Sequence, residues 1–489
     1  MKLFKKKVKI QYKVENVAKA IDRLKSDVGD SRVYNNIEER ICYAFDATKQ
    51  SSLPDVIVKP ETTEHVAAAV KIANEFEIPI YARGAGTGLT GGCVPLKGGM
   101  VIDIMKMNKI IEISPHDLTA IVEPCVITKH LQNEVAKHHL FYPPDPSSAD
   151  SSTIGGNVAE CAGGITGVKY GVTRNYILSL EVVLADGTIM KCGRRTLKSV
   201  TGYDLTRLFV GSEGTLGIFT KIGVRLIPMP KKVLSVQAQF TNVDDALATG
   251  DDVINNNILP RTLEMMDEIS IKSVRDYGGL NIPEEVKAIL IIDVDGQETA
   301  VLEELDTIEE LCRKNNAVHL IRANTTEERE KVWSVRRAIS PALYKIAPLK
   351  INEDICVPRS KIKDILDKVK KSLEGTSIFM AAFGHIGDGN IHLNYMHHEN
   401  EVELVHKLVT EIFKEVVALG GTISGEHGIG TTKQEFMRTE LTAEELTVMR
   451  SLKNLFDPKG ILNPGKMFPV DDDEEWYNMN TDNKKNGLV

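Results

Sequence analysis

The sequence predicts an α+β protein that is divided into more than one domain. Its 489 residues exceed what one hydrophobic core usually organises. The first half sets short apolar strands around glycine-rich loops. From residue 232 onward strands alternate with amphipathic helices, among them a predicted strand over 262–266 and a predicted helix over 298–315. The second pattern predicts an antiparallel sheet backed by helices, in a ferredoxin-like arrangement.

The composition is that of an ordinary water-soluble protein, with 42% hydrophobic and 26% charged residues. A net charge of -8 argues against nucleic acid as the main partner, because that function needs a concentrated basic face. No apolar run approaches the roughly 20 residues of a transmembrane segment. The N-terminus lacks the apolar stretch of a secretory signal, and the seven cysteines form no CxxC pair. We therefore expect a cytoplasmic protein without an iron–sulfur site of its own.

The chain begins with a predicted helical extension over residues 1–52. Its apolar residues from Val14 to Leu24 recur at helical spacing. A short strand between Pro54 and Pro60 follows, and Thr62 or Thr63 can cap the helix after it. The next strand leads directly into the glycine-rich sequence RGAGTGLTGG.

This glycine-rich loop matches the spacing of the dinucleotide-binding fingerprint at Gly86, Gly88 and Gly91, with Glu112 near the expected acidic position. The fingerprint requires a helix at the glycines, but here Pro95 and further glycines lead into another strand. We therefore predict a loop that binds phosphate through bare backbone N–H groups without a Rossmann fold. The alternative is a glycine-rich hairpin loop with no ligand.

A histidine-containing stretch predicts a β-hairpin, because two runs of strand character flank the turn-forming sequence GDGN. With these four residues as the loop, Ile386 pairs with Ile391 and His385 faces His392. Side chains directly opposite on antiparallel strands have Cβ atoms about 4.5–5.5 Å apart, so both imidazoles can reach one divalent ion. Asn394 lies two residues beyond His392, on the same face.

A helix predicted over residues 401–419 returns the chain to the hairpin and delivers Glu426 and His427 in a glycine-flanked turn. Two imidazoles and one carboxylate form a common catalytic metal set, so His385, His392 and Glu426 are predicted to hold one divalent ion, Fe, Zn or Mn. His427 is then available as a general base. The alternative is a histidine pair that is only hydrogen-bonded to its neighbours.

Seven sequence motifs together carry a resemblance to a known family. They are RGAGTGLTGG, PPDPSS, TIGGNVAECAGG, GSEGTLGI, GHIGDGNIHLN, GEHGIG and LFDPKGILNPGK. Residues 54–231 resemble the flavin-binding domain of the vanillyl-alcohol oxidase and p-cresol methylhydroxylase superfamily, and residues 232–468 resemble its FAD-linked oxidase C-terminal domain. The group that the motifs resemble is the FAD-dependent D-2-hydroxyacid dehydrogenases, which include D-lactate dehydrogenases and the flavin-binding component of glycolate oxidase.

The resemblance implies a two-part flavin-binding domain over residues 53–231 and a ferredoxin-like antiparallel-sheet cap domain with the metal site over residues 232–440. Residues 441–470 are expected to return to the flavin domain, and residues 471–489 form a polar tail. The residues expected to bind FAD are Arg83, Gly84, Ala85, Gly86, Thr87, Gly88, Leu89, Pro144, Ser147, Gly156, Asn157, Ile218 and Asn463. Because these loops offer no histidine or cysteine at the usual attachment positions, we expect non-covalent FAD. The alternative is covalent attachment of the flavin to Cys161.

The implied activity is oxidation of a D-2-hydroxy acid, with D-lactate as the first candidate and glycolate or D-2-hydroxyglutarate as alternatives. Arg336 is expected to bind the substrate carboxylate, Asn394 to orient the substrate and His427 to take its hydroxyl proton while hydride passes to FAD N5. Electrons then pass to an external acceptor, for which an electron-transfer flavoprotein is one candidate. Two other functions are open: a flavin-dependent non-redox ether-lipid synthase of the same fold, and a non-catalytic FAD carrier.

Overall fold

The computed structural model describes residues 14–48, 50–278 and 282–469. The basic start of the chain and the predicted polar tail 471–489 lie outside these residues. The elements of the first half are, in chain order, α1 (Val14–Leu24), β1 (Val33–Tyr34), α2 (Ile37–Cys42), β2 (Val56–Val58), α3 (Thr63–Phe76), β3 (Ile80–Arg83), β4 (Met100–Asp103), β5 (Ile110–Ser114), β6 (Thr119–Val122), α4 (Thr128–Ala136), β7 (Leu140–Phe141), α5 (Ile154–Glu160), α6 (Gly167–Tyr170), β8 (Ile177–Val183), β9 (Ile189–Gly193), α7 (Leu205–Phe209), β10 (Ile218–Arg225) and β11 (Ile227–Pro228).

The first half is built on two larger sheets. The four-stranded sheet has the order β1-β2-β4-β3, in which β2, β4 and β3 run parallel and β1 is antiparallel. The five-stranded sheet has the order β5-β6-β10-β8-β9 and is antiparallel throughout. The N-terminal segment is more than a helical extension, since its β1 adds an edge strand to the first sheet.

The glycine-rich loop joins β3 to β4, which pair in parallel, and no helix opens at the glycines. The rejection of a Rossmann fingerprint is therefore confirmed. Close backbone contact explains one glycine in particular: a Cβ on Gly99, whose φ is +79°, would lie 2.5 Å from the carbonyl oxygen of Pro79.

The second half contains the remaining strands and most of the longer helices. They are β12 (Lys232–Phe240), α8 (Val243–Asn255), β13 (Thr262–Met266), α9 (Glu268–Gly278), β14 (Ala288–Gly296), α10 (Glu298–Lys314), β15 (His319–Ala323), α11 (Thr326–Ala342), β16 (Leu349–Cys356), α12 (Ile362–Ser372), β17 (Phe379–His385), β18 (Asn390–His397), α13 (Val402–Ala418), α14 (Met437–Glu440) and α15 (Ala443–Phe456).

These strands form one seven-stranded sheet with the order β15-β12-β14-β13-β17-β18-β16, in which every pair is antiparallel. The first four strands have the order of a ferredoxin-like unit, and the other three extend its edge. One hydrophobic core lies between the sheet and α8, α10, α12 and α13, and a second lies between the opposite face and α9 and α11. The predicted α+β class, with a ferredoxin-like sheet, is confirmed.

The predicted register of the β17–β18 hairpin is wrong. His385 pairs with Asn390 and Phe383 with His392, so the loop begins one residue earlier than predicted. Contacts with β16 and the residue after it hold the turn in this register: Nδ2 of Asn390 donates to the carbonyl of Ile355 at 2.9 Å, and a Cβ on Gly389 would lie 1.9 Å from the carbonyl oxygen of Val357. Each residue of β17 therefore faces a residue of β18 two positions earlier than predicted. Because side chains alternate between the two faces of a strand, a shift of two positions leaves both histidines on the same face.

The C-terminal segment returns the chain to the first sheet. The backbone N–H of Asn463 donates to the carbonyl of Ile80 at 2.8 Å, and Leu462 forms an isolated bridge with the same residue. Within the described ranges, no helix combines the length and the apolar composition needed to cross a bilayer.

Candidate cofactor and metal site

A cavity opens where the glycine-rich loop, α5, the start of β10 and the turn that carries Glu426 and His427 meet. Twelve of the thirteen predicted FAD-binding residues line it: Arg83, Gly84, Ala85, Gly86, Thr87, Gly88, Leu89, Ser147, Gly156, Asn157, Ile218 and Asn463. Pro144 does not; it is buried, its carbonyl accepts a hydrogen bond from Gln132, and Pro146 lines the cavity instead. Cys161 is also outside this lining.

The glycine-rich loop has the properties of an anion cradle. None of the backbone N–H groups from Gly84 to Leu89 donates a hydrogen bond to another residue of the described chain. Gly86 has a φ of +71°, and a Cβ there would lie 2.5 Å from Nη2 of Arg83. Unpaired donors beside a guanidinium fit the pyrophosphate of FAD.

The N-terminal segment contributes to this cavity, which the sequence did not indicate. Nη1 of Arg83 donates to the carbonyl of Phe45 at 2.7 Å, and the neighbouring Asp46 lines the cavity. The segment therefore fixes the guanidinium from outside the loop, while its remaining nitrogens are left for a ligand.

The predicted metal set is assembled: one ligand atom each from His385, His392 and Glu426 lie within 4.8 Å of one another. Oε1 of Glu426 is 3.4 Å from Nε2 of His385 and 3.5 Å from Nε2 of His392. Ligands at about 2.0–2.1 Å from a tetrahedral ion are roughly 3.4 Å apart, so both distances fit a shared cation. All three side chains are largely buried.

Glu264 supports this set from β13, since its carboxylate is hydrogen-bonded to Nδ1 of His385. A carboxylate on the far nitrogen fixes the ring of a metal-binding histidine and leaves Nε2 for the ion. Burial alone would lower the pKa of His385, but Glu264 and Glu426 raise it well above its ordinary value. Burial lowers the pKa of His392 to about 3.

Arg336 contacts Glu264 and does not line the cofactor cavity. Its Nε donates to Glu264 at 2.9 Å, and its guanidinium carbon is 4.4 Å from the ring centroid of Phe383. Phe383 is the direct partner of His392 across the hairpin. The terminal nitrogens of Arg336 donate no hydrogen bond to any other described residue.

Asn394 is fully buried on β18, two residues beyond His392. Its Nδ2 donates to the backbone carbonyl of His392 at 3.2 Å. Its Oδ1 is buried without a hydrogen-bond partner among the described residues. This oxygen is therefore available to a donor group from a ligand.

His427 lines the cavity and is held by Asp354 of β16. Its Nδ1 is 3.4 Å from Oδ1 of Asp354, and its backbone N–H donates to Oδ2 of the same residue at 2.8 Å. Its ring is stacked on that of His392, with centroids 5.3 Å apart. This arrangement leaves Nε2 of His427 as the nitrogen that can accept a proton.

Asp354 is itself part of a buried charged network, because Nζ of Lys433 also donates to it. Burial would raise the pKa of Asp354, but His427 and Lys433 hold it well below its ordinary value. Neither Glu264 nor Asp354 was predicted to belong to the site. For Glu264 the available signal was a carboxylate among the mainly apolar, buried residues of β13. Asp354 gave no such signal, because β16 also carries Lys350, Asn352 and Glu353.

Comparison with known proteins agrees with this geometry. Residues 54–193 match the model of an FAD binding domain, and residues 229–467 match that of the FAD linked oxidases, C-terminal domain. Glycolate oxidase subunit GlcD of Bacillus subtilis is 43% identical over 436 residues, which are 88% of this chain and 93% of the relative. The chain belongs to the FAD-linked oxidase family.

One further relative and two solved structures are also similar to this chain. D-lactate dehydrogenase of Anaerostipes hadrus is 36% identical, over 85% of this chain and 89% of the relative. Among solved structures, p-cresol methylhydroxylase has a TM-score of 0.78 at 17% identity, covering 94% of this chain and 98% of that one. An alkyldihydroxyacetonephosphate synthase has a TM-score of 0.72 at 20% identity, covering 91% and 84%. Both of these structures show the shared fold.

As a member of this family, the chain is an FAD-dependent oxidoreductase. A substitution of Asp354 tests whether this carboxylate orients His427. Asp354→Asn is expected to slow flavin reduction about 10- to 100-fold, the usual cost of losing such a supporting carboxylate. Stopped-flow absorbance would measure this loss. Glu353→Gln, a change of the adjacent buried carboxylate, is the control. Equal loss in both variants would indicate a structural role only.

Proposed function

We propose that the chain is an FAD-dependent dehydrogenase that oxidises a D-2-hydroxy acid to the 2-oxo acid, with D-lactate as the first candidate. The observation that carries the proposal is that His385, His392 and Glu426 lie within reach of one ion, while Glu426 and the adjacent His427 line the FAD cavity. The names of the related glycolate oxidase component and D-lactate dehydrogenase support this substrate class. Glycolate and D-2-hydroxyglutarate are the alternatives.

The reaction removes a proton from the hydroxyl group and a hydride from the same carbon. When bound, a divalent ion would polarise the hydroxyl and carboxylate groups of the substrate, and FAD would accept the hydride. His427 takes the hydroxyl proton at Nε2, because its Nδ1 faces Oδ1 of Asp354 at 3.4 Å. Asp354 also favours the charged imidazolium that this transfer creates.

Arg336 and Asn394 orient the substrate in this proposal. The two terminal nitrogens of Arg336 form a planar pair suited to a carboxylate, while Nε remains on Glu264. The unpaired Oδ1 of Asn394 would accept a hydrogen bond from the substrate side of the site. Because Glu264 contacts both Arg336 and His385, carboxylate binding and metal binding share one support.

We propose that FAD is bound without a covalent link. Cys161 does not line the cavity. Cys93 does line it, but burial raises the pKa of its thiol to about 11. Burial also keeps Cys93 as an unreactive thiol. The electrons leave to an external acceptor, with an electron-transfer flavoprotein as the first candidate. Denaturation with acid should therefore release all the flavin into solution.

Anaerobic titration tests the proposed function directly. D-lactate, L-lactate, glycolate and D-2-hydroxyglutarate would each be added while flavin absorbance is followed and the oxo acid is quantified. We expect D-lactate to bleach the flavin and L-lactate to leave it oxidised. Adding oxidised electron-transfer flavoprotein should then restore the absorbance. If no 2-hydroxy acid bleaches the flavin, a net non-redox function of the same fold, such as ether-lipid synthesis, replaces the proposal.

A further inference from the structure

The segment between β9 and α7 projects large apolar side chains into solvent. Every residue from Arg194 to Asp204 is exposed. The exposed fractions are 66% for Leu197, 97% for Val200 and 96% for Tyr203. Single exposed apolar residues are common, but three large ones within seven positions of one exposed loop are more typical of an interaction surface. We refer to residues 194–204 as the apolar loop.

The apolar loop borders a cavity of about 390 Å³ that is lined by four arginines, Arg174, Arg194, Arg207 and Arg225. The side chains of Arg174 and Arg225 make no hydrogen bond or ion pair with any described residue, and that of Arg194 donates only to the adjacent backbone carbonyl. Arg207 is 3.4 Å from Asp204, the one acidic side chain in the lining.

The local charge is opposite to that of the whole chain. From Lys191 to Arg207 the sequence has five basic residues and one acidic residue, whereas the chain as a whole carries -8. A concentrated positive field on an acidic protein attracts a negatively charged partner and raises its association rate. Arginine beside exposed tyrosine is also the composition that is enriched at protein–protein contacts.

This surface is connected to the wall of the cofactor cavity. Arg174 also lines a second cavity, of about 340 Å³, whose lining includes Glu160, Glu213 and Glu426. These same three residues line the FAD cavity. The arginine-lined cavity is therefore linked to the cofactor cavity through Arg174, the second cavity and these three glutamates.

We infer that the apolar loop and the four arginines dock an acidic surface of the protein that accepts electrons from this enzyme. The inference rests on the proposed function, because reduced FAD needs an external acceptor and the chain has no iron–sulfur motif of its own. The apolar side chains favour a protein over a small anion, which would need the arginines alone. The acceptor binds through its acidic face. Reoxidation of one reduced FAD would release two electrons and two protons, so two haem acceptors or one flavoprotein acceptor would be needed, and water would take the protons that the acceptor does not.

The test uses the full-length holoenzyme with its flavin reduced photochemically, so that electron transfer is measured independently of any 2-hydroxy acid. The probes are the acidic haem domain of cytochrome b5 and the basic cytochrome c. The variants are Arg174→Gln combined with Arg225→Gln, and a triple change of Leu197, Val200 and Tyr203 to serine. Ile321→Ser and Lys407→Gln change exposed residues on other elements and serve as controls. The rate at which each variant reduces dichlorophenolindophenol, a small acceptor that needs no docking surface, shows whether its flavin is still functional.

We expect the wild-type enzyme to reduce the acidic haem domain at a rate that falls as salt rises, and faster than it reduces cytochrome c. Each docking variant should lower this rate about tenfold at low salt and flatten its salt dependence. The dye reaction and both control variants should be unchanged. Equal rates in the variants and the wild type would overturn the inference.

Two other results would also overturn the inference. A change of oligomeric state in the variants, with electron transfer unaffected, would assign the surface to a second copy of this chain. Competition by millimolar inorganic phosphate, with no effect of the serine substitutions, would assign it to a small anion. Failure of the proposed function gives a different result: no 2-hydroxy acid bleaches the flavin, although the photoreduced enzyme still passes electrons.

Discussion

Replacing His427 with alanine is expected to slow reduction of the bound flavin by the 2-hydroxy acid about 10²- to 10⁴-fold, the usual contribution of a general base. The side chain lines the cofactor cavity but neither supports the glycine-rich loop nor belongs to the metal set. FAD and metal content should therefore stay at wild-type levels. Stopped-flow absorbance at saturating substrate measures the rate, and added imidazole should restore part of it.

The matched control is His398→Ala, which removes an exposed histidine just beyond the end of β18. It should leave flavin reduction unchanged. If His427→Ala reduces the flavin as fast as the wild type, the proton is taken by another group. Loss of FAD in the variant would instead show that His427 is needed for cofactor binding.

Much of the fold could be predicted because long segments bury one face. The predicted helix 298–315 corresponds to α10, Glu298–Lys314, and the predicted strand 262–266 corresponds to β13, Thr262–Met266. β13 is buried at all 5 positions, so its composition rather than a period identified it, whereas the helical period of its apolar residues identified α10. The same periodicity identified α13, which was predicted over 401–419 and spans Val402–Ala418.

The hairpin register could not be predicted in this way. Its composition fixes which residues share a face, but the starting point of the turn depends on contacts with distant segments. Asn390 enters β18 because its Nδ2 donates to the carbonyl of Ile355 at 2.9 Å, and Gly389 sits against Val357. The wrong register did not affect the predicted metal set, because a shift of two positions between the strands keeps His385 and His392 on one face.

The supporting carboxylates were missed for a related reason. Glu264 is 121 residues from His385 in the sequence, and Asp354 is 73 residues from His427. A carboxylate within an apolar strand indicates only that some partner must exist, because a buried charge without one is strongly unfavourable. Which partner it has depends on the order of strands in the sheet, which places β13 beside β17 and β16 beside β18.

The second large effect is expected from the metal ligands. Glu426→Gln removes the carboxylate shared by both histidines, and Glu264→Gln removes only the support of His385. Loss of a supporting carboxylate typically weakens metal affinity about 10- to 100-fold, so loss of the ligand itself should weaken it at least as much. Metal analysis of the purified proteins should find one ion per chain in the wild type and none retained by Glu426→Gln. The exposed carboxylate of Glu435 provides the control substitution, Glu435→Gln.

The same ligands predict the direction of the pH dependence. In the ion-free protein Glu264 and Glu426 hold the pKa of His385 well above its ordinary value, so this ring carries a proton that a metal ion must displace. Metal affinity should therefore fall as the pH is lowered. Titration calorimetry in two buffers of different ionisation enthalpy would detect the released proton. In the Glu264→Gln variant the pKa of His385 falls, so metal binding should release fewer protons than in the wild type, even though the metal binds more weakly. Equal proton release by the wild type and the variant would mean that His385 is not a ligand.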